Sequence, residues 1–385
     1  MENFILYAIL HIFMYTRMNV ASKTKEILDR SFDEPISVED GNYLMNLKGS
    51  DIYALLATAD AVRREIVGDN VTFINNCNIN FTNVCTVRCG FCGFGKDIDD
   101  PEAYILNDEQ ILAKAQGAVD TGAREFCVMG GVLKDADIEY YEHILKLLKS
   151  NFPQVDIHGF SPTMIADAAK VSEIPTAEAF KILKKAGLGT IPGTAAEILN
   201  DRTREIVCPN KVSTEEWIRI IKEAHNAGID GSATMMYGHV ETIEERVEHI
   251  DILRQIQLET GGFNEFIPMT FMPDYSPMFL EGQKDLGATG TEDLKLLAVV
   301  RLMLRDIIPN IQVSWVKVGF RFAQVALLAG ANDLGGTLGG DELSEASGAP
   351  DGVEASIQDL TKIIKDLNRN PIERNSHYTE FYPVE

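Results

Sequence analysis

The stretch NFTNVCTVRCGFCGFGK, from Asn80 to Lys96, places Cys85, Cys89 and Cys92 within eight residues of a polar, Gly-rich segment. Thiolates are soft ligands suited to zinc and to iron–sulfur clusters. Structural zinc takes four protein ligands, often from paired C-x2-C motifs. Here the spacing is C-x3-C-x2-C. The one further thiol nearby, Cys77, lies in a strand-like run with no His close to it. An iron–sulfur cubane also takes four thiolates. Three would leave one iron open to a non-protein ligand, such as an amino nitrogen paired with a carboxylate. A reduced cluster could then pass an electron into a sulfonium held against it. Zinc remains the alternative, in a binding barrel stabilised by the metal and without catalysis.

Such a loop needs a frame. From Val71 onward, short apolar or β-branched runs alternate with amphipathic segments. The runs are VTFINNCNINFTN, REFCVMGG, VDIHGFSP, GTIPGTA, GSATMMYGH, FNEFIPMTF, NIQVSWVK and NDLGGT. Helices fit between them. Asn107 caps one that stops near Gly122, and Thr176 caps one that stops at Gly187. Ser213 with Glu216, and Thr242 with Glu245, form capping boxes for two more. This alternation predicts an α/β fold, a parallel (β/α)8 TIM-type barrel. An open doubly wound sheet is the alternative, disfavoured because no G-x-G-x-x-G follows the first strand. Residues 71–340 make the barrel, residues 1–70 an N-terminal helical extension, and residues 341–385 a C-terminal appendage with one helix near 353–368. Loops that follow barrel strands line the catalytic face. The three cysteines follow the first strand and therefore sit at that mouth.

The 385 residues carry a net charge of −23. That excess opposes non-specific binding to nucleic acid or an anionic membrane, and no Lys/Arg cluster offsets it. Six cysteines in so long a chain do not make a disulfide framework, which points to a reducing cytoplasm. The apolar run Phe4–Tyr15 is too short to span a membrane. It has no basic flank before it and no cleavage site after it. It reads as a short extra helix or, preferably, as upstream sequence before a start at Met18.

The cysteine spacing, with Phe91 before the last cysteine and the loop after a barrel's first strand, resembles the radical S-adenosylmethionine superfamily. The resemblance implies that Cys85, Cys89 and Cys92 hold a [4Fe–4S] cluster. In that superfamily the cluster cleaves S-adenosylmethionine to methionine and a 5′-deoxyadenosyl radical. It also implies that Phe91 lies by the adenine or shields the cluster. Gly130 and Gly131 would receive the methionine amino group, unless they only form a tight turn. INFTNVC, HGFSP, IPGTAAEIL, CPNK, ATMMYGHVET, SWVK and GANDLGGTL look like one branch, across about residues 45–380. That branch holds the tyrosine-dependent, CofH-type half of the deazaflavin (FO) synthase and two menaquinone-pathway enzymes, aminofutalosine synthase and dehypoxanthinyl futalosine cyclase. PGTAAEIL, NEFIP, SWVK and GANDLGGTL lean to the deazaflavin enzyme; ETIEERVEHI resembles the cyclase as much. VMGGVLKD departs from the branch's usual Q-G-G-x-H-P, with Met129 in place of the Gln.

The deazaflavin resemblance implies the substrates L-tyrosine and 5-amino-6-(D-ribitylamino)uracil. A tyrosine Cα–Cβ bond breaks, 2-iminoacetate leaves, and the 4-hydroxybenzyl fragment joins C5 of the uracil. It implies a low-potential electron donor, ferredoxin or flavodoxin, and a second FO synthase subunit that closes the ring. Glu197, past the fourth strand, is a candidate for the ribose hydroxyls or ammonium of S-adenosylmethionine, or is an acid in a helix's first turn. Tyr237 and His239 end the fifth strand and are the candidate catalytic residues, as strand-end polar groups in a barrel. His158 and Ser161 end the third. Asn332 and Asp333 either close the pocket or form a turn. Cys127 and Cys208 are read as inert, and Met235, Met236 and Met269 as core.

Overall fold

The computed structural model describes residues 19–280 and 287–384. Residues 1–17 and the start at Met18 lie outside the described residues. The predicted first strand is one extended path, broken at Asn75 into β1 (Asn70–Ile74) and β2 (Asn76–Asn80). β2 opens a parallel sheet that runs in chain order through β3 (Glu125–Met129), β4 (Asp156–Gly159), β5 (Thr190–Ile191), β6 (Asp230–Tyr237) and β7 (Phe263–Thr270).

The last two predicted strands complete the ring in abbreviated form. Ile311 bridges Phe266 of β7, and Gln312 bridges Asp333, the first residue of β8 (Asp333–Gly336). Gly339 then bridges Cys77 of β2. The Val313 amide donates to the Asp333 carbonyl at 2.8 Å, and the Asn78 amide to the Gly339 carbonyl at 2.8 Å. The (β/α)8 barrel is therefore present, and its seam is closed by single bridges rather than by full strands. The run NIQVSWVK was expected as one strand, but its second half is a helical turn, Trp315–Val318. Trp315 is the reason. Its indole is buried, donates to the Gly336 carbonyl at 2.9 Å and stacks on Phe320 at 4.5 Å.

Helices cover the outside of the ring and bury the outward strand residues, such as Phe126, Val128 and Ile157. Their ends follow local chemistry. Asn107 and Thr242 each make a reciprocal capping box, and Ser213 accepts from the Glu216 amide. The helix Thr176–Ala186 ends at Gly187 in the left-handed conformation, as expected. Its N-cap, however, is Pro175, not Thr176, whose hydroxyl turns instead to the Glu223 carboxylate of the helix Thr214–Asn226. The N-terminal helices Val38–Met45 and Ser50–Val67 lie beside the helix Gly290–Leu304, and Ser22–Arg30 packs on Ser50–Val67.

The C-terminal region holds more than the expected helix. Besides Ile357–Lys365, it supplies β9 (Asn370–Arg374), parallel to β1, and β10 (Phe381–Pro383), antiparallel to β9. Pro371 at the start of β9 is a residue that argues against a strand in sequence. Here β9 brings Arg374 into the floor of the barrel. Its guanidinium lies 2.7 Å from Asp333 and 3.2 Å from Glu265. Tyr378 donates to Glu265 at 2.6 Å and to Asp333 at 2.9 Å. Asp333 thus seals the floor, while Asn332 accepts from buried Arg301 at 2.7 Å and from the Ile311 amide at 2.8 Å.

Candidate active site at the barrel mouth

Side chains alternate across each strand. β2 sends Asn76, Asn78 and Asn80 inward, and β3 sends Glu125, Cys127 and Met129. The interior encloses a cavity of about 220 Å³. A single water needs only ~15 Å³, so the barrel is a chamber rather than a packed core. Cys127 and Met269 line it; burial pushes the Cys127 thiol well up, in keeping with an inert thiol, while Met269 faces the chamber rather than packed core. His158 faces inward from β4, with Nδ1 2.7 Å from the Thr190 hydroxyl, and burial lowers its pKa. Ser161 is the N-cap of Pro162–Val171, a structural task.

The same alternation places the two catalytic candidates away from the chamber. On β6 it is Ser232 and Thr234 that face the cavity, so Tyr237 shares the outward face with Ala233 and Met235. Its hydroxyl donates to Asp293 at 2.6 Å, on a covering helix. Gly238, at φ +92°, then turns the chain. His239 is shut off from solvent. Its Nε2 faces the Met236 carbonyl at 2.9 Å, and its Nδ1 accepts from the Val240 amide at 2.8 Å and lies 3.0 Å from Glu241. Neither residue lines the chamber.

The cysteine loop leaves the inner end of β2. Its neck is closed by the Cys85 amide donating to the Lys96 carbonyl at 3.0 Å and the Lys96 amide to the Asn83 carbonyl at 2.8 Å. Within it, the Cys92 amide donates to the Cys89 carbonyl at 3.1 Å. The CPNK segment clasps it from outside. The Gly90 amide donates to the Val207 carbonyl at 2.9 Å, and the Asn210 side chain to the Val87 carbonyl at 3.0 Å. Among the described residues, no three His, Cys, Asp or Glu side chains converge as a preformed ligand set. The donor chemistry nevertheless fits a thiolate-bound cluster. Burial pushes the Cys89 thiol up to about 12, against the pull of the nearby Lys211 ammonium. Coordination reverses that balance, because a bound metal deprotonates a thiol outright.

Gly130 and Gly131 follow β3 and touch this loop. Neither has a left-handed φ, so no turn demands glycine there. Close approach does. A Cβ on Gly131 would lie 2.1 Å from the Val84 carbonyl oxygen and 2.8 Å from the Cys85 Cβ. On Gly130 it would meet the Thr82 carbonyl at 3.0 Å.

Glu197 is buried, in a loop before the helix Asp201–Val207 rather than in a helix's first turn, and has φ +41°. Burial alone would raise its pKa, but ion pairing and hydrogen bonding with Lys211, together with Arg204, hold the carboxyl below its usual range. The Lys211 ammonium also lies 5.2 Å from the centre of the Phe91 ring. Lys211 therefore ties Glu197, Phe91 and Cys89 into one cluster. It was missed in the sequence because CPNK looks like a turn; a lone Lys two residues after a Cys-Pro carries no recognisable spacing.

Residues 79–253 match the Radical SAM superfamily, and residues 260–384 match the CofH/MqnC C-terminal region. The chain is 49% identical over 367 residues to the 5-amino-6-(D-ribitylamino)uracil–L-tyrosine 4-hydroxyphenyl transferase of Methanothermobacter thermautotrophicus, covering 95% of this chain and 100% of that one. It is 44% identical over 357 residues to the transferase of that name from Methanococcoides burtonii, covering 92% and 98%. Among solved structures, methylornithine synthase (PylB) shares the fold with a TM-score of 0.70 at 18% identity, over 90% of this chain and 97% of that one. The chain thus belongs to the radical S-adenosylmethionine superfamily and, within it, to the family of 5-amino-6-(D-ribitylamino)uracil–L-tyrosine 4-hydroxyphenyl transferases.

Proposed function

We propose that this chain joins the 4-hydroxybenzyl group of L-tyrosine to 5-amino-6-(D-ribitylamino)uracil and releases 2-iminoacetate, in deazaflavin (FO) biosynthesis. The observation that carries the reading is identity to the transferase at 49% across 95% of the chain. Cys85, Cys89 and Cys92 would hold a [4Fe–4S] cluster. When bound, that cluster and S-adenosylmethionine supply the one-electron chemistry that opens the tyrosine Cα–Cβ bond. Phe91 presents a half-buried aromatic face beside the loop, suited to an adenine. Gly130 and Gly131 leave backbone open to a methionine amino group. Glu197 is committed to Lys211, so its part is to hold that ammonium beside Cys89 rather than to meet ribose directly. The sealed floor around Arg374 keeps water from reaching a carbon radical from below. A ferredoxin or flavodoxin would deliver the electron, and the second FO synthase subunit would take the product.

The test is anaerobic reconstitution followed by incubation with dithionite, S-adenosylmethionine, tyrosine and the ribityl uracil. The expected result is a brown protein with about four irons per chain, a tyrosine–uracil adduct and 2-iminoacetate. Turnover of a futalosine without that adduct would overturn the substrate assignment, and a colourless zinc protein would overturn the cluster.

A further inference from the structure

Among the described residues the chamber wall carries two cations, Arg374 and Lys317, and they differ in their partners. Arg374, at the floor, is committed to Asp333 and Glu265 and covers the Tyr378 ring at 4.0 Å. Lys317 stands at the opposite end, on the helical turn Trp315–Val318 that interrupts the seventh barrel segment. Its ammonium donates to a neutral group, the Ser344 hydroxyl, at 3.2 Å. Among the described residues no carboxylate is in ion-pairing contact with it. The charged or titratable neighbours that face it are Asp341 and Cys92. Asp341 is itself engaged, accepting from the Ser344 amide at 3.2 Å.

A half-buried ammonium with a neutral partner has lost much of its hydration and gained little in exchange. It is suited to receive an anion from a ligand. Its rotation is limited as well. The buried Trp315, hydrogen-bonded to Gly336 and stacked on Phe320, anchors the turn that carries it. The position also suits the chemistry. Lys317 reaches Ser344, and two residues on the Ala346 carbonyl lies against Gly93 of the cysteine loop, so Lys317 stands on the side of the chamber next to the loop where one-electron chemistry would start. In an amino-acid lyase-type reaction the end of the substrate that must lie there is the α-carbon, and the group attached to it is a carboxylate.

We infer that Lys317 is the anchor for the α-carboxylate of the amino-acid substrate, holding the Cα–Cβ bond toward the cysteine loop with the aromatic ring directed into the chamber. The inference rests on the tyrosine reading above. It makes Lys317 a substrate-binding residue, distinct from the groups that would hold cluster and S-adenosylmethionine.

The test is equilibrium binding of L-tyrosine and of tyramine, which lacks the carboxylate, to the reconstituted holoenzyme, with KM and kcat for 5′-deoxyadenosine release measured alongside. The wild-type enzyme should prefer tyrosine. In Lys317→Gln the tyrosine affinity should fall by about 30-fold, in line with ~2 kcal/mol for a charge-assisted hydrogen bond, while tyramine binding stays unchanged. Lys317→Arg should recover most of the tyrosine affinity. The KM for S-adenosylmethionine and the binding of the ribityl uracil should not move. Unaltered tyrosine affinity in Lys317→Gln, equal losses for tyrosine and tyramine, or a loss confined to S-adenosylmethionine or the uracil would each overturn the assignment. Adduct formation by the wild-type enzyme separates the two claims. If it forms and Lys317→Gln keeps its tyrosine affinity, the anchor alone fails; if no tyrosine binds to the wild type, both fail.

Discussion

Gly131→Ala should break the cysteine loop's geometry while sparing the rest of the barrel. The added Cβ would stand 2.1 Å from the Val84 carbonyl oxygen, 2.6 Å from its carbon and 2.8 Å from the Cys85 Cβ. Carbon and oxygen that are not bonded rarely come below ~3.3 Å, so the Gly131 and Val84 backbones must part by about 1 Å. Two of the three atoms met are backbone, so no flexible side chain can yield. Overpacking of this kind costs about 1–3 kcal/mol. The larger effect is positional. A displacement of ~1 Å in a positioned group costs about 10²-fold in rate, and here it falls on the residue adjoining Cys85. The expected outcome is a folded protein, melting at most ~6 °C lower at ~2 °C per kcal/mol or less for a chain of this length, with reduced iron and sulfide per chain and about 10²-fold slower 5′-deoxyadenosine release. Gly117→Ala is the control. It lies within the helix Asp108–Asp120 with nothing inside 4 Å of the added Cβ, and should gain ~0.5–1 kcal/mol. A Gly131→Ala enzyme with wild-type iron content and rate would refute the argument that this contact sets the loop.

Tyr237→Phe should lower stability by ~1–3 kcal/mol by stripping a donor from buried Asp293, with kcat unchanged; a fall in kcat at unchanged stability would restore Tyr237 to the active site. Glu197→Gln leaves the Lys211 ammonium without its counter-ion and should cost ~3–5 kcal/mol, read by urea unfolding at pH 7. His249 is fully buried and neutral, accepting from the Leu199 amide at 2.9 Å and facing the Thr234 carbonyl at 2.9 Å. Burial holds its pKa at about 4, below the ordinary 6.5, so the unfolded chain takes up the proton first. Its contribution, full above pH 6.5, should fade by ~3 kcal/mol as pH drops through 4. Urea unfolding at pH 7, 6 and 5 should show that slope, shallower in His249→Gln; identical slopes would count against it.

The barrel segments were legible in the sequence, apart from the helical turn Trp315–Val318 inside NIQVSWVK, because strand–helix alternation and caps such as Asn107 and Thr242 are local signals. The cysteines were legible for the same reason. What escaped depends on contacts between distant residues. The outward placement of Tyr237 was available from period-two counting along GSATMMYGH, but only once Ser232 and Thr234 are known to face inward. Lys211 and Glu197 are separated by a loop and a helix, and nothing in either segment announces the pair. β9 was hidden by Pro371 and by a partner, β1, from the opposite end of the chain.

That last pairing has a consequence for biosynthesis. β1 and β2 form one path into the cysteine loop, and β1 is flanked by β8 and β9. Both partners are translated long after the cysteines. During synthesis the three thiols, in the loop after β2, therefore emerge well before the strands that flank β1, a topology with high contact order and slow closure. The cover of the loop also comes later in the chain, with Met278 against Gly90 and the Ala346 carbonyl against Gly93. A nascent chain truncated before Tyr275 should therefore carry its cysteines without that cover and more open to oxidants.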